Sequence, residues 1–138
     1  MTDDALVRYR PHALAALRIA AGVIFLAHGL VKLFGFPEVE GMGKVPLFSI
    51  FGIGGVIELV GGALIALGLF TRIAALIASG EMAVAYWMFH APDSIYPIVN
   101  GGDAAILYCF VFLYIAVAGP GSFSLDGALR SGSPVRQA

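Results

Sequence analysis

Apolar residues run through this chain in four long stretches, at about 13–34, 47–70, 73–90 and 103–118. Each is read as a helix. At a rise of about 1.5 Å per residue the first two can cross a roughly 30 Å hydrocarbon layer, and the third and fourth lie nearer the minimum. Between them the polar and turn-forming residues collect. Gly35 to Pro46 holds Pro37, Glu38 and Glu40, and the second connection is short and centred on Thr71-Arg72. Ala91 to Gly102 holds Pro92, Asp93, Pro97, Asn100 and a Gly-Gly pair, and Asp103 opens the last stretch. Such clusters mark loops and a helix start. The pattern predicts an all-α fold, a four-transmembrane-helix bundle. The first stretch starts near Ala13 and meets no small-residue cleavage site before the next loop, which favours a retained helix over a removed signal peptide.

Composition agrees. Of the 138 residues 59% are hydrophobic and 12% charged, about half the charge share of an ordinary soluble domain. The length allows one domain, placed at 13–129, between a cytoplasmic N-terminal segment, 1–12, and a flexible cytoplasmic tail, 130–138. A formal net charge of -1 gives no attraction to nucleic acid. Cys109 stands alone, which excludes an internal disulfide and dithiol chemistry. His12, His28 and His90 are too far apart in sequence for a helical metal site, so no metal is expected. Charge asymmetry sets the expected orientation. Arg8, Arg10, Arg18, Arg72, Arg130 and Arg136 fall on one side. Lys32 and Lys44 fall on the other, among Glu38, Glu40, Asp93 and Asp103. The positive-inside rule then puts both termini in the cytoplasm. Arg18-Ile19-Ala20-Ala21 and Arg72-Ile73-Ala74-Ala75 open the first and third stretches alike. This is compatible with two repeated helical hairpins, and equally with coincidence in an alanine-rich chain.

Two acids interrupt the apolar stretches: Glu58 in the second and Glu81 in the third. A charge at bilayer depth costs roughly 2.5–3.5 kcal/mol, so such residues face a bundle interior and find partners. The basic candidates are His28 and Lys32. Glu58 and Glu81 are therefore candidate proton-transfer groups, with a structural ion pair as the alternative. His28 and Lys32 are candidate ligand contacts, with a satisfied imidazole and a snorkelling amine as the alternatives. Tyr108 and Tyr114 could stack on a flat ligand, or simply pack. Gly54, Gly61 and Gly68 recur every seven residues, bordered by Gly55 and Gly62. This predicts a small-residue stripe at which another helix approaches closely, with Glu58 on it and turned from lipid. Arg18 and Arg72, at helix starts, are read as structural or topogenic charges.

The pattern Glu58-x-x-Gly61-Gly62-x-Leu64-x-x-x-Gly68-x-x-x-Arg72 resembles the DoxX family of small bacterial membrane proteins. So do Gly101-Gly102-x-Ala104-x-x-x-Tyr108, the closing Gly119-Pro120-Gly121-Ser122-x-Ser124-Leu125-Asp126, and Arg18 with Gly22, Gly29 and Lys32. The resemblance implies four membrane helices in the bacterial cytoplasmic (inner) membrane. It also implies an association with quinone-linked sulfur oxidation (thiosulfate:quinone oxidoreductase) and with membrane oxidoreductase complexes. The function expected from it is a quinone-linked redox subunit with a polar intramembrane pocket, working with quinone as cofactor. A protein partner subunit or a homo-oligomer would accompany it in the bilayer. Two other readings stand beside it: a non-enzymatic assembly factor or scaffold, and a small-solute binding or carrier protein.

Overall fold

The computed structural model describes residues 3–132. Arg136 and most of the segment assigned as a flexible tail fall outside the described residues, as do Met1 and Thr2. The described chain is helical: α1 (Asp3–Val7), α2 (Arg10–Phe34), α3 (Ile50–Leu67), α4 (Thr71–His90), α5 (Pro97–Asn100), α6 (Asp103–Ala118) and α7 (Leu125–Ser131). Among the described residues there is no strand, only an isolated bridge between Val39 and Met42. By length and composition α2, α3 and α4 can each span a membrane, and α6 is a shorter apolar helix.

The ends of these helices follow local chemistry. Pro11 sits in the first turn of α2, where its missing N–H costs nothing. Gly35 ends α2 in the left-handed region (φ 66°), a conformation that side chains resist. Ser49 caps α3 by accepting from Gly52 N at 3.1 Å. The helices are not regular throughout. A π-helical turn, Ile57–Gly61, interrupts α3, and another, Tyr86–His90, closes α4. A sequence reading at 3.6 residues per turn does not foresee either.

α2 and α3 pack antiparallel, backbone on backbone. A Cβ added to Gly22 would stand 2.7 Å from Ala66 N, and one on Gly29 would stand 2.5 Å from Leu59 N. One on Gly62 would stand 2.6 Å from Leu26 N. The predicted stripe is therefore corrected. The close approach uses Gly22 and Gly29 of α2 with Gly55 and Gly62 of α3. Gly54 looks instead toward Glu81, Gly61 lies near Phe25, and Gly68 is the left-handed end of α3 (φ 68°), set against Ser124 and Arg18. The reason is angular: the row at 55, 59, 62 and 66 meets α2, and the row at 54, 58, 61 and 65 lies about 100° away, on the bundle interior.

α4 packs mainly on α6, and α3 and α6 each bridge the two pairs. The shared core includes Phe25, Ile65, Ala75, Ala78, Phe112 and Ile115. Phe25 meets Phe112 edge-on at 4.8 Å between ring centres, fixing α2 against α6.

One end of the molecule is tied by an arginine and an aspartate. Arg18 was expected as a charge at a helix start. Because α2 begins at Arg10, Arg18 lies two turns inside, and it is wholly buried. It donates to Ile65 O (2.8 Å), Ala66 O (2.6 Å), Pro120 O (2.7 Å), Phe123 O (2.9 Å) and Ser122 O (3.2 Å). These carbonyls are at the end of α3 and in the segment after α6. All five guanidinium N–H groups are thereby used. Arg72 is more exposed and does the matching job at the end of α6, donating to Ala116 O and Val117 O. Thus the two Arg-Ile-Ala-Ala runs place their arginines equivalently, each on the carbonyl end of the helix its own hairpin returns by.

Asp126 supplies the cap that α4 lacks locally. Its carboxylate accepts from Phe70 N (2.9 Å), Thr71 N (3.0 Å) and Thr71 Oγ1 (2.7 Å). Burial alone pushes this carboxyl up. The hydrogen bonds from Thr71 and Phe70, with Arg130 nearby, outweigh that and hold it below its ordinary 3.8. The domain boundary expected at residue 129 falls inside α7, the helix that carries this cap.

Two predictions follow from these contacts. Gly29→Ala should lower stability by about 1–3 kcal/mol through overpacking, whereas Gly80→Ala, whose Cβ would meet nothing within 4 Å, should not; thermal unfolding in detergent micelles compares them. Asp126→Ala should cost about 0.5–2 kcal/mol at neutral pH. Because the folded-state value lies below 3.8, the cap's contribution is complete above that pH. It fades only as pH falls through the lower folded-state value. The gap between wild type and variant should therefore close in acid, and an unchanged gap down to pH 2 would rule the charge-assisted cap out.

Candidate functional site

The interior of the bundle holds a cavity of about 660 Å³. Its walls are mostly apolar, and at its inner side His28, Lys32, Glu58, Glu81 and Tyr108 come together. α2 delivers Lys32 from its last turn, and the glycine contact with α3 brings that turn close enough to bond. Lys32 Nζ donates to Glu58 Oε1 at 2.7 Å. Glu58 is 2% exposed and sits in the π-helical turn of α3, a distortion often found at functional positions. It is turned to the interior, as expected of an acid at bilayer depth.

Glu81 enters from α4. A Cβ on Gly54 would approach both Glu81 Oε1 (3.0 Å) and Lys32 Nζ (3.9 Å), so the second carboxyl and the amine flank the same glycine. Glycine here leaves the space in which the three charged groups meet. Lys32 is bonded to Glu58, and Glu81 has no cation in ion-pair contact among the described residues. Glu58 Oε2 and Glu81 Oε2 are both buried without a hydrogen-bond partner. Such atoms are uncommon in folded proteins and call for an explanation.

His28 bonds its own helix, Nδ1 to Ile24 O at 2.9 Å, and stands edge-on to Tyr108 at 6.0 Å. Tyr108 stacks on Phe112 at 5.5 Å and presents its ring to the cavity. Tyr114 is not part of this group. Six residues beyond Tyr108, it lies about 240° round the helix, 58% exposed on the outer surface. Its assignment as a ligand contact is corrected on that ground. Arg18 and Arg72 are at the far end with the tied carbonyls and take no part in the cavity. Sequence spacing also did not reveal Gly80, Gly101 and Ala104, which line the cavity.

The DoxX family profile matches residues 13–91, more than half of the chain. The chain belongs to the DoxX family. An uncharacterized protein of Haemophilus influenzae is 44% identical over 88% of this chain and 93% of its own length. An uncharacterized membrane protein of Mycobacterium tuberculosis is 27% identical over 86% of this chain and 82% of its own. No solved structure matches. Family and helices together make this a membrane protein in a lipid bilayer. The DoxX match spans α2, α3 and α4, so His28, Lys32, Glu58 and Glu81 lie within it, while Tyr108 comes from the part beyond.

In this DoxX protein one amine stands near two acids and bonds only one of them, which predicts unequal mutational costs. Lys32→Met leaves both carboxyls without a cation and should cost about 3 kcal/mol, the low end for a buried pair because the lysine side chain keeps 21% exposure. Glu58→Gln leaves Lys32 the nearby Glu81 and should cost less. The double variant should regain part of the Lys32→Met loss. Additive losses in a double-mutant cycle of unfolding midpoints would show that the pair is uncoupled.

Proposed function

We propose that the protein is a four-span protein of the bacterial cytoplasmic (inner) membrane, with both termini in the cytoplasm. Its cavity takes the head group of a quinone, and it acts as the membrane subunit of a redox enzyme. The orientation rests on the arginines. Arg18, Arg72 and Arg130 lie at one end with the Asp126 cap, and Glu38, Glu40 and Lys44 lie in the loop at the other, so the positive-inside rule sends the arginine end to the cytoplasm.

The observation that carries the functional reading is the pair of buried carboxyl oxygens without partners, Glu58 Oε2 and Glu81 Oε2, beside a cavity of about 660 Å³. With a single amine among them, the three charged groups are neutral together only when they hold one additional proton. A site of that kind can take up or give up a proton in exchange with a bound molecule at little electrostatic cost. Its apolar walls and the ring of Tyr108 suit a flat head group. A quinone bound here would supply the electron chemistry, taking two electrons from a partner redox protein and two protons, one by way of Glu81 and one from water, to give the quinol. The chain's own residues then have distinct tasks. Glu81 holds the exchangeable proton at Oε2. Lys32, with N–H groups to spare beyond the bond to Glu58, donates to a carbonyl oxygen. Glu58 holds Lys32 in place, and His28 and Tyr108 bound the head group on the α2 and α6 sides.

Detergent-purified protein should yield about one quinone per chain in its organic extract by mass spectrometry, and the Glu81→Gln variant should retain quinone. In the complete complex that variant should lower proton-coupled turnover by about 10²–10⁴, the usual worth of a positioned acid–base group. Well-folded protein free of quinone, unable to take it up when it is added to nanodiscs, would remove this reading. It would leave the charged cluster as architecture within an assembly factor or scaffold.

A further inference from the structure

We propose that the cavity opens sideways into the bilayer between α3 and α4, that Gly80 keeps this portal clear, and that its ligand is a lipid-borne molecule with an apolar tail. The head-group part of this rests on the reading given above; the portal itself rests on geometry.

α3 and α4 meet closely near their shared turn. Gly68 and Phe70 connect them directly, and Asp126 ties both by accepting from Phe70 and Thr71 while donating its own N–H to Gly68 O at 2.8 Å. Farther along, the cavity takes the space between them, up to the rings of Phe51 and Phe89, which meet across the two helices at 4.7 Å between centres. Ile53 and Ile57 line it from α3, and Ile77, Gly80 and Val84 line it from α4. These positions on α4 recur at the i, i+3, i+7 spacing of one helix face. Ile53, Ile77 and Val84 are each more than half exposed, so the same side chains that bound the cavity also form the molecular surface. A cavity wall that is also surface is a mouth.

Two features say what fills that mouth. The rim residues Ile53, Ile57, Ile77, Gly80 and Val84 are uncharged and apolar. Of the ionisable groups lining the cavity, Glu58 and Glu81 each bury a carboxyl oxygen, His28, Lys32 and Tyr108 come from α2 and α6, and His90, at the end of α4, bonds Asn100 O at 3.0 Å. Gly80 is also at the middle of α4, a helix of 20 residues. The middle of a spanning helix lies at the depth of the acyl chains, not of water. At this mouth a Cβ on residue 80 would meet no atom within 4 Å. Gly80 is thus unlike Gly22, Gly29 and Gly62, which are held by backbone contact, and what it contributes is open space. Glu58, 2% exposed and with Oε2 unpartnered, is the buried polar group at the inner end. The whole therefore has the polarity of an amphiphile laid on its side, with the head group at Lys32, Glu58 and Glu81 and the tail leaving past Gly80 into lipid.

The test has two parts. Gly80→Cys in a Cys109→Ser background is nitroxide-labelled and reconstituted in phospholipid vesicles, with Val60→Cys, exposed near the middle of α3 and outside the cavity lining, as the lipid-facing reference and Glu40→Cys as the loop reference. We expect the label at 80 to collide with oxygen in preference to a water-soluble nickel chelate, as at 60. Preference for the chelate would place the mouth in water and overturn the portal. In nanodiscs, Gly80→Phe should slow binding of a decyl-tailed benzoquinone by roughly tenfold or more. It should leave a tail-free dimethoxy-methyl-benzoquinone close to wild type. Equal loss of both would make residue 80 part of the head-group site, and no loss of either would mean that ligands arrive by another route. Each result overturns the proposal. If neither quinone binds the wild type, the functional reading and the tailed-ligand assignment fail together, while the collision measurement still decides the portal.

Discussion

The contact between the backbones of α2 and α3 governs what the rest of the molecule can be. In lipid there is no hydrophobic gain from bringing two apolar helices together, so association relies on dispersion between closely fitted surfaces and on hydrogen bonds. Gly22 and Gly29 meet Gly62 and Leu59 with no room for a methyl group. That proximity carries Lys32 to within 2.7 Å of Glu58. A wider spacing would leave an amine and a carboxylate in a low-dielectric interior without each other, the costly arrangement for buried ions.

The molecule divides its polar groups between two ends with different logic. At the arginine end, among the described residues, no buried side-chain donor or acceptor lacks a partner. Arg18 spends five N–H groups on five carbonyls, and Asp126 closes the start of α4. That end is satisfied and closed. In the other half, two carboxyl oxygens are left without partners and the helices part around empty space. A fold that can satisfy buried polar groups so fully at one end, yet leaves them open at the other, has the layout of a rigid base supporting a site. The π-helical turn at Glu58 belongs to the second half, and the closing segment after α6 belongs to the first.

Much of this was legible in the chain. The lengths of the apolar stretches predict helices whose observed limits differ by a few residues, because length in lipid and turn chemistry at Gly35, Pro46 and Gly68 are both local properties. That Glu58 faces inward was also legible, since an acid at bilayer depth must find a partner. The identity of the partner was narrowed to His28 or Lys32. The choice between them needed the α2–α3 register, which puts Lys32 opposite Glu58 and leaves His28 on its own helix at Ile24.

What the sequence by itself determined is therefore whatever depends on composition and near neighbours: helical segments in a membrane, an interior acid pair, and glycines that must matter for packing. Tertiary structure decided which glycines touch a helix and which leave space, that Arg18 is a buried clamp, that Tyr114 lies outside the cavity, and that Asp126 caps a helix 55 residues away in the chain. These turn on rotation about helix axes. A shift of one residue moves a side chain by about 100°, and a π-helical turn adds a further offset. No local pattern fixes that angle; only the sum of contacts with the neighbouring helices does.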